Sequence, residues 1–119
     1  MTIILSPDKF ISEVQEEFSD AFPYLKIEFF KKGYRYRHAT QRNKFIPKEL
    51  KVGRPGVPTK TGFDIIPSMT VKELEIRCEE DLGLSVQVYR RCGKLWLETT
   101  MTENWTLIQQ NENGREISQ

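Results

Sequence analysis

Histidine is nearly absent from this 119-residue chain: His38 is the only one, so any acid–base scheme built on imidazole must use that single ring. Cysteine is scarce too. Cys78 and Cys92 belong to no Cys-x-x-Cys or Cys/His ligand spacing, which argues against a structural zinc site. Spacing alone leaves a disulfide between them open, although a reducing compartment disfavours one. Cys92 sits among Arg90, Arg91 and Lys94 with no local base to make it a nucleophile. The glycines of Gly53-Arg54-Pro55-Gly56 lack the Gly-Lys-Ser/Thr ending and the strand-to-helix setting of a phosphate-binding loop.

Long hydrophobic runs are missing as well. No stretch approaches the ~20 apolar residues that a membrane helix needs. Met1 to Leu5 gives way at once to the acidic, amphipathic stretch Asp8 to Phe22, without the basic start or the cleavage site of a secretory signal. These absences set the expectation of a cytoplasmic protein with no catalytic residue, no cofactor and no metal site.

What the chain does have is the composition of a globular domain, 38% hydrophobic and 29% charged. Its length suits one core, so residues 1–119 are expected to form a single domain. Charge, in contrast, is segregated. Ten of the 18 Lys and Arg (Lys31, Lys32, Arg35, Arg37, Arg42, Lys44, Lys48, Lys51, Arg54, Lys60) but only one of the 17 acids, Glu49, lie between residues 31 and 60. A net charge of +1 conceals this, and a local field acts over about a Debye length, not over the molecular average.

Two halves of the chain carry the same pattern. Ser6 to Phe18 matches Thr70 to Leu82 at an offset of 64, and Ile27 to Lys32 matches Val86 to Arg91 at an offset of 59. An apolar pair, Ile3-Ile4 or Ile65-Ile66, precedes each helix. In the first helix Ser6 is the expected N-cap, Pro7 the first helical residue, and Phe10, Val14, Phe18 and Ala21 the apolar stripe, with a stop at Pro23. The second opens with a capping box, Thr70-Val71-Lys72-Glu73, and closes at Gly83.

After Leu84, alternation predicts a strand that turns at Cys92-Gly93 and pairs back with Lys94 to Thr99, Val88 opposite Leu97 and Tyr89 opposite Trp96. Val86, Val88, Leu95 and Leu97 then face the helices, while Gln87, Tyr89, Trp96 and Glu98 form an outer face shared with Phe30. A turn at Lys32-Gly33 would lead into the alternating Tyr34-Arg35-Tyr36-Arg37-His38. The fold class this predicts is α+β. Two βαβ(β) repeats with an extra hairpin strand build one antiparallel sheet with two helices on one face, a two-layer sandwich in a ferredoxin-like split βαβ arrangement. Its parts are a first half at 1–41, a basic loop at 42–61 rich in Pro and Gly, a second half at 62–101 and a tail at 102–119. In the tail, Thr106 to Gln109 could cap a short helix docked by Trp105 and Ile108, ahead of a fraying end.

Cations interleaved with aromatics suit a phosphate backbone with stackable bases. Phe30, Tyr89 and Trp96 on one sheet face resemble the physical logic of sheet-surface RNA readers, yet the Gly and spaced aromatics of the RNP1 pattern are lacking. The first expectation is therefore a small non-enzymatic binding or adaptor protein. Its partner is a protein or a second copy of itself, contacted through Phe30, Tyr34, Arg35, Tyr36, Arg37, Arg42, Lys44, Tyr89 and Trp96. The alternative is single-stranded nucleic acid or RNA bound through residues 31–60. Nothing implies a membrane or a small-molecule substrate. Whether the basic field is felt outside depends on where the acidic helices lie, behind the sheet or beside the loop.

Overall fold

The computed structural model describes residues 3–32 and 45–119. In chain order the elements are β1 (Ile3–Leu5), α1 (Ile11–Ala21), β2 (Leu25–Lys31), β3 (Phe63–Ile65), α2 (Val71–Leu82), β4 (Leu84–Cys92), β5 (Leu95–Glu98), a 3₁₀ turn (Thr100–Thr102) and α3 (Leu107–Ser118). The class is α+β. The strands form two antiparallel sheets, β1–β3 and β2–β4–β5, so the single sheet that a ferredoxin-like arrangement requires is divided. Three-residue strands explain part of this: β1 and β3 satisfy each other, Ile3 opposite Ile65 and Leu5 opposite Phe63, and share no ladder with β2 or β4.

The periodicities hold where they are strongest. On β2 and β4 the inward set Leu25, Ile27, Phe29, Leu84, Val86 and Val88 is buried. It forms one core with Val14 and Phe18 of α1 and Leu74 and Cys78 of α2. Helix α2 begins and ends as its residues predict: Thr70 Oγ1 accepts from the Glu73 N–H at 3.0 Å, and the Glu73 carboxylate accepts from the Thr70 N–H at 3.0 Å. Gly83 takes φ +64°, where a Cβ would approach Val57 Cγ1 to 2.8 Å, so both conformation and space favour glycine.

Helix α1 starts later than expected. Ser6 does not cap it. The Ser6 hydroxyl and carbonyl instead accept from the Asp8 and Lys9 N–H groups, closing a turn, and Phe10 stands at the N-cap position, largely exposed. Ile11, not Phe10, opens the buried stripe that continues through Val14 and Phe18. The first two helical N–H groups, of Ile11 and Ser12, donate to the carbonyls of Leu50 and Lys48. Tertiary contact thus supplies what a local cap would have supplied.

The same stitching recurs at α2. The Val71 and Lys72 N–H groups donate to the Trp105 and Glu103 carbonyls. In return, the segments after these donate back: Val52 N–H to the Lys9 carbonyl and Gly53 N–H to Pro7, Leu107 N–H to Met69 and Ile108 N–H to Pro67. Ile11 and Val71 are 60 residues apart, as are Lys9 and Met69; Leu50 and Trp105 are 55 apart, as are Val52 and Leu107. The helical offset is therefore 60, not the 64 that side-chain matching suggests. After Val52, Gly53, Pro55 and Gly56 prevent a helix; after Leu107 nothing does, and α3 follows.

Helix α3 is longer than the short helix expected, and it docks through other residues. Leu107, Gln110 and Gly114 are its buried positions, whereas Ile108 is exposed. At Gly114 a Cβ would come within 2.9 Å of Tyr24 Cβ and 3.1 Å of Arg90 Cγ, so the helix can lie this close only without a side chain. Gln110 donates to the Thr102 carbonyl at 2.7 Å and accepts from the Arg90 guanidinium, which also reaches Thr102 Oγ1 and stacks 5.3 Å from the Trp105 ring.

Candidate interaction face at the end of the sheet

The β2–β4–β5 sheet has β2 and β5 as its outer strands, and the chain treats them differently. Along β2 the outward carbonyls are occupied: Leu25 by Ser19 Oγ at 3.1 Å, Ile27 by Gln15 Nε2 at 3.0 Å, and Phe29 by the Ile46 N–H at 2.8 Å. Ser19 and Gln15 stand one turn apart on α1, so a single helix face latches two carbonyls. Among the described residues no strand pairs with the far side of β5.

The hairpin leading to β5 turns at Gly93-Lys94, with Gly93 at φ +64° in the first central position, and Cys92 and Leu95 form its closing pair. This replaces the expected Cys92-Gly93 turn: Arg91 opposes Trp96 and Tyr89 opposes Glu98. The change leaves each side chain on its expected face but does not bury the leucines. Leu95 is 66% exposed and Leu97 42%, because α1 packs chiefly on β2, and α2 and α3 chiefly on β4. Met101, just beyond, is 96% exposed.

On the outer face, register places Lys26 of β2 opposite Tyr89, and Tyr89 opposite Glu98. The Lys26 ammonium lies 5.2 Å from both the Tyr89 and the Trp96 ring centroids, and the Arg91 guanidinium 5.8 Å from Trp96. Each such contact contributes about 0.5–1 kcal/mol where water has access. Burial, reinforced by the carboxylates of Glu98 and Glu28, pushes the Tyr89 phenol up to about 12, so it is a neutral donor at physiological pH. Burial likewise raises Glu28, against the lowering effects of Lys26, a Gln15 hydrogen bond and Lys48.

Phe30 does not join this cluster. It is 7% exposed, bridged to Phe45 and packed edge-on against its ring at 4.8 Å, and the buried Ser85 and Gln87 separate it from Tyr89. The expected three-aromatic platform is therefore reduced to Tyr89 and Trp96, both partly buried, with Lys26 between them. Tyr34, Arg35, Tyr36, Arg37, His38, Arg42 and Lys44 lie outside the described residues. Trp105 belongs to the opposite face, with Arg90, and so is not what covers Tyr89 and Trp96. Lys26 and the bare leucines were missed, since both depend on register and on how far the helices reach.

The described part of the basic segment gathers elsewhere. Lys31, Lys51 and Arg54 line an open cavity of about 740 Å³ with Phe10, Leu50 and Glu49. Beside it a second hollow of about 470 Å³ sets Lys31, Lys32 and Arg54 against Glu79 and Glu80. Lys60 pairs with the buried Asp81 at 3.6 Å, and Arg77 with the same carboxylate at 2.9 Å. The acidic end of α2 thus lies beside the basic loop and offsets part of its field. Cys78 and Cys92 are both free, and burial drives the Cys78 thiol strongly upward. Among the described residues no group of three His, Cys, Asp or Glu could hold a metal ion, and no helix is long and apolar enough to cross a membrane.

Compared with known proteins, the chain matches no family model, no curated protein and no solved structure.

Proposed function

We propose that this chain is a small, non-enzymatic binding module that engages a protein partner through the end of the sheet formed by β5, Tyr89, Trp96 and Lys26. The observation that carries this reading is the β5 edge, with which no described strand pairs on the outer side, with Leu95, Leu97 and Met101 exposed beside a cation–aromatic cluster. Exposed apolar groups in one place, next to unpaired backbone donors and acceptors, are what strand addition uses. The matching hydrogen bonds 60 and 55 residues apart support an origin of the two halves by internal duplication, with the second half having diverged into a contact surface. Two free cysteines fit a reducing, cytoplasmic setting.

A photocrosslinking side chain at Leu97, compared with one at the exposed Ile66, which lies outside the β2–β4–β5 sheet, tests the reading in cells. Protein adducts of any identity from position 97 and none from 66 support it; no adducts from 97 overturn it.

A second reading, single-stranded nucleic acid at the basic segment, is favoured by the cavity that joins Lys31, Lys51 and Arg54 to Phe10. Its mark is oligonucleotide affinity that falls steeply with salt and drops further in Lys51→Ala/Arg54→Ala. Absence of binding at low salt removes it.

A further inference from the structure

The β5 edge carries a sequence that is its own complement. Read forward, Lys94-Leu95-Trp96-Leu97-Glu98 runs cation, leucine, indole, leucine, anion. Read backward it runs anion, leucine, indole, leucine, cation. From this, and resting on the interaction reading above, we infer that the partner of β5 is β5 of a second copy, paired antiparallel about a twofold axis at Trp96.

The backbone selects this register. Thr99 N–H donates to the Val88 carbonyl at 3.2 Å, and ladder alternation from that bond points the groups of Leu97 and Leu95 toward β4 and those of Trp96 and Glu98 outward. A twofold at Trp96 lets the two Trp96 residues exchange N–H···O=C bonds, one isologous pair from one residue. Leu95 then meets Leu97 of the second copy, twice. In the widely spaced part of an antiparallel ladder those side chains are in closest contact. Lys94 meets Glu98 of the second copy, also twice. Among the described residues neither Lys94 nor Glu98 has an ion pair. A slip of two residues either way removes both ion pairs and sets Lys94 or Glu98 against Trp96, so charge holds the register.

The product is a continuous six-stranded sheet, β2–β4–β5 followed by its twofold image. Its two outer edges are the β2 edges already closed by Ser19, Gln15 and Ile46, so pairing ends at two copies. Four-residue strands bury less than a standard interface, which places the expected dissociation constant at about 10–100 µM.

Sedimentation velocity on the purified chain across that range reads the equilibrium directly. Lys94→Glu and Glu98→Lys, each placing two like-charge contacts across the axis, should each weaken the dimer about tenfold, and the double exchange should restore it. Leu97→Lys should leave a monomer, with unchanged far-ultraviolet circular dichroism, since Leu97 is exposed in the single copy. Failure of the double exchange to rescue overturns the register. A chain that is monomeric at every concentration overturns self-pairing. If that monomer still yields adducts with another protein from position 97, the interaction reading stands without it; if it yields none, both fall.

Discussion

The two edges of one three-stranded sheet differ in what lies over them. Along β2, α1 supplies Ser19 and Gln15, and the segment at Ile46 supplies a backbone donor, so Leu25, Ile27 and Phe29 present no free carbonyl. Along β5 no described strand pairs with the outer side, and Leu95 and Leu97 are exposed. A folded chain that closes one edge with three separate hydrogen bonds has the means to close the other. The exposed β5 edge is the one on which the proposed contact rests, since an uncovered apolar edge otherwise invites aggregation.

The sharpest break in this comparison is energetic. Phe29→Ala, under the closed edge and fully buried, should cost about 3–5 kcal/mol, whereas Leu97→Ala in the monomer should cost less than about 1 kcal/mol. Urea unfolding of the two variants reads both. Equal losses would mean that β5 is packed as firmly as β2.

Next in size are the latches. Gln15→Ala and Ser19→Ala each remove one side-chain donor to a β2 carbonyl and should cost about 0.5–1.5 kcal/mol apiece. Together they should raise amide exchange along β2 and leave β5 unchanged. Protection factors by hydrogen exchange check this strand by strand.

The smallest effects are in titration. At the β5 side, the raised Tyr89 phenol contributes stability that is complete below its ordinary value near 10 and is lost as pH climbs toward about 12. A tyrosinate absorbance step near 12, missing in Tyr89→Phe, is the expected record, and Glu98→Gln should move that step downward. At the β2 side, the raised Glu28 binds its proton more tightly folded than unfolded. Its contribution is therefore fully present below the ordinary carboxyl value of 4.5 and is lost as pH rises through the folded value. Glu28→Gln should flatten the stability profile just above pH 4.5.

How far the fold could be read from sequence follows from how local each cause is. The inward set Ile27, Phe29, Val86 and Val88 announces itself by alternation, and the α2 caps by residues adjacent to them. The start of α1 does not, because Leu50 and Lys48 cap it from across the chain. Helix α3 hides for another reason: it docks through Gln110 and Gly114, a polar and a vanishing side chain, and no apolar stripe marks it. The candidate face was half legible. Tyr89 and Trp96 share a side by strand parity alone, whereas the isolation of Phe30 by Phe45, the bridging place of Lys26 and the exposure of Leu95 and Leu97 depend on neighbours far away in sequence.

The crossed stitching of the two halves has a temporal consequence. Among the described residues, β1 pairs with β3, the long ladder of β2 is with β4, and the first turn of α2 is completed by the carbonyls of Glu103 and Trp105. The β1–β3 and β2–β4 ladders therefore need both halves of the chain, and the bonds that complete α2 need the chain as far as Trp105. Pairing at such sequence separations carries a loop-closure cost that favours the two halves engaging together over a first half serving as template for a second.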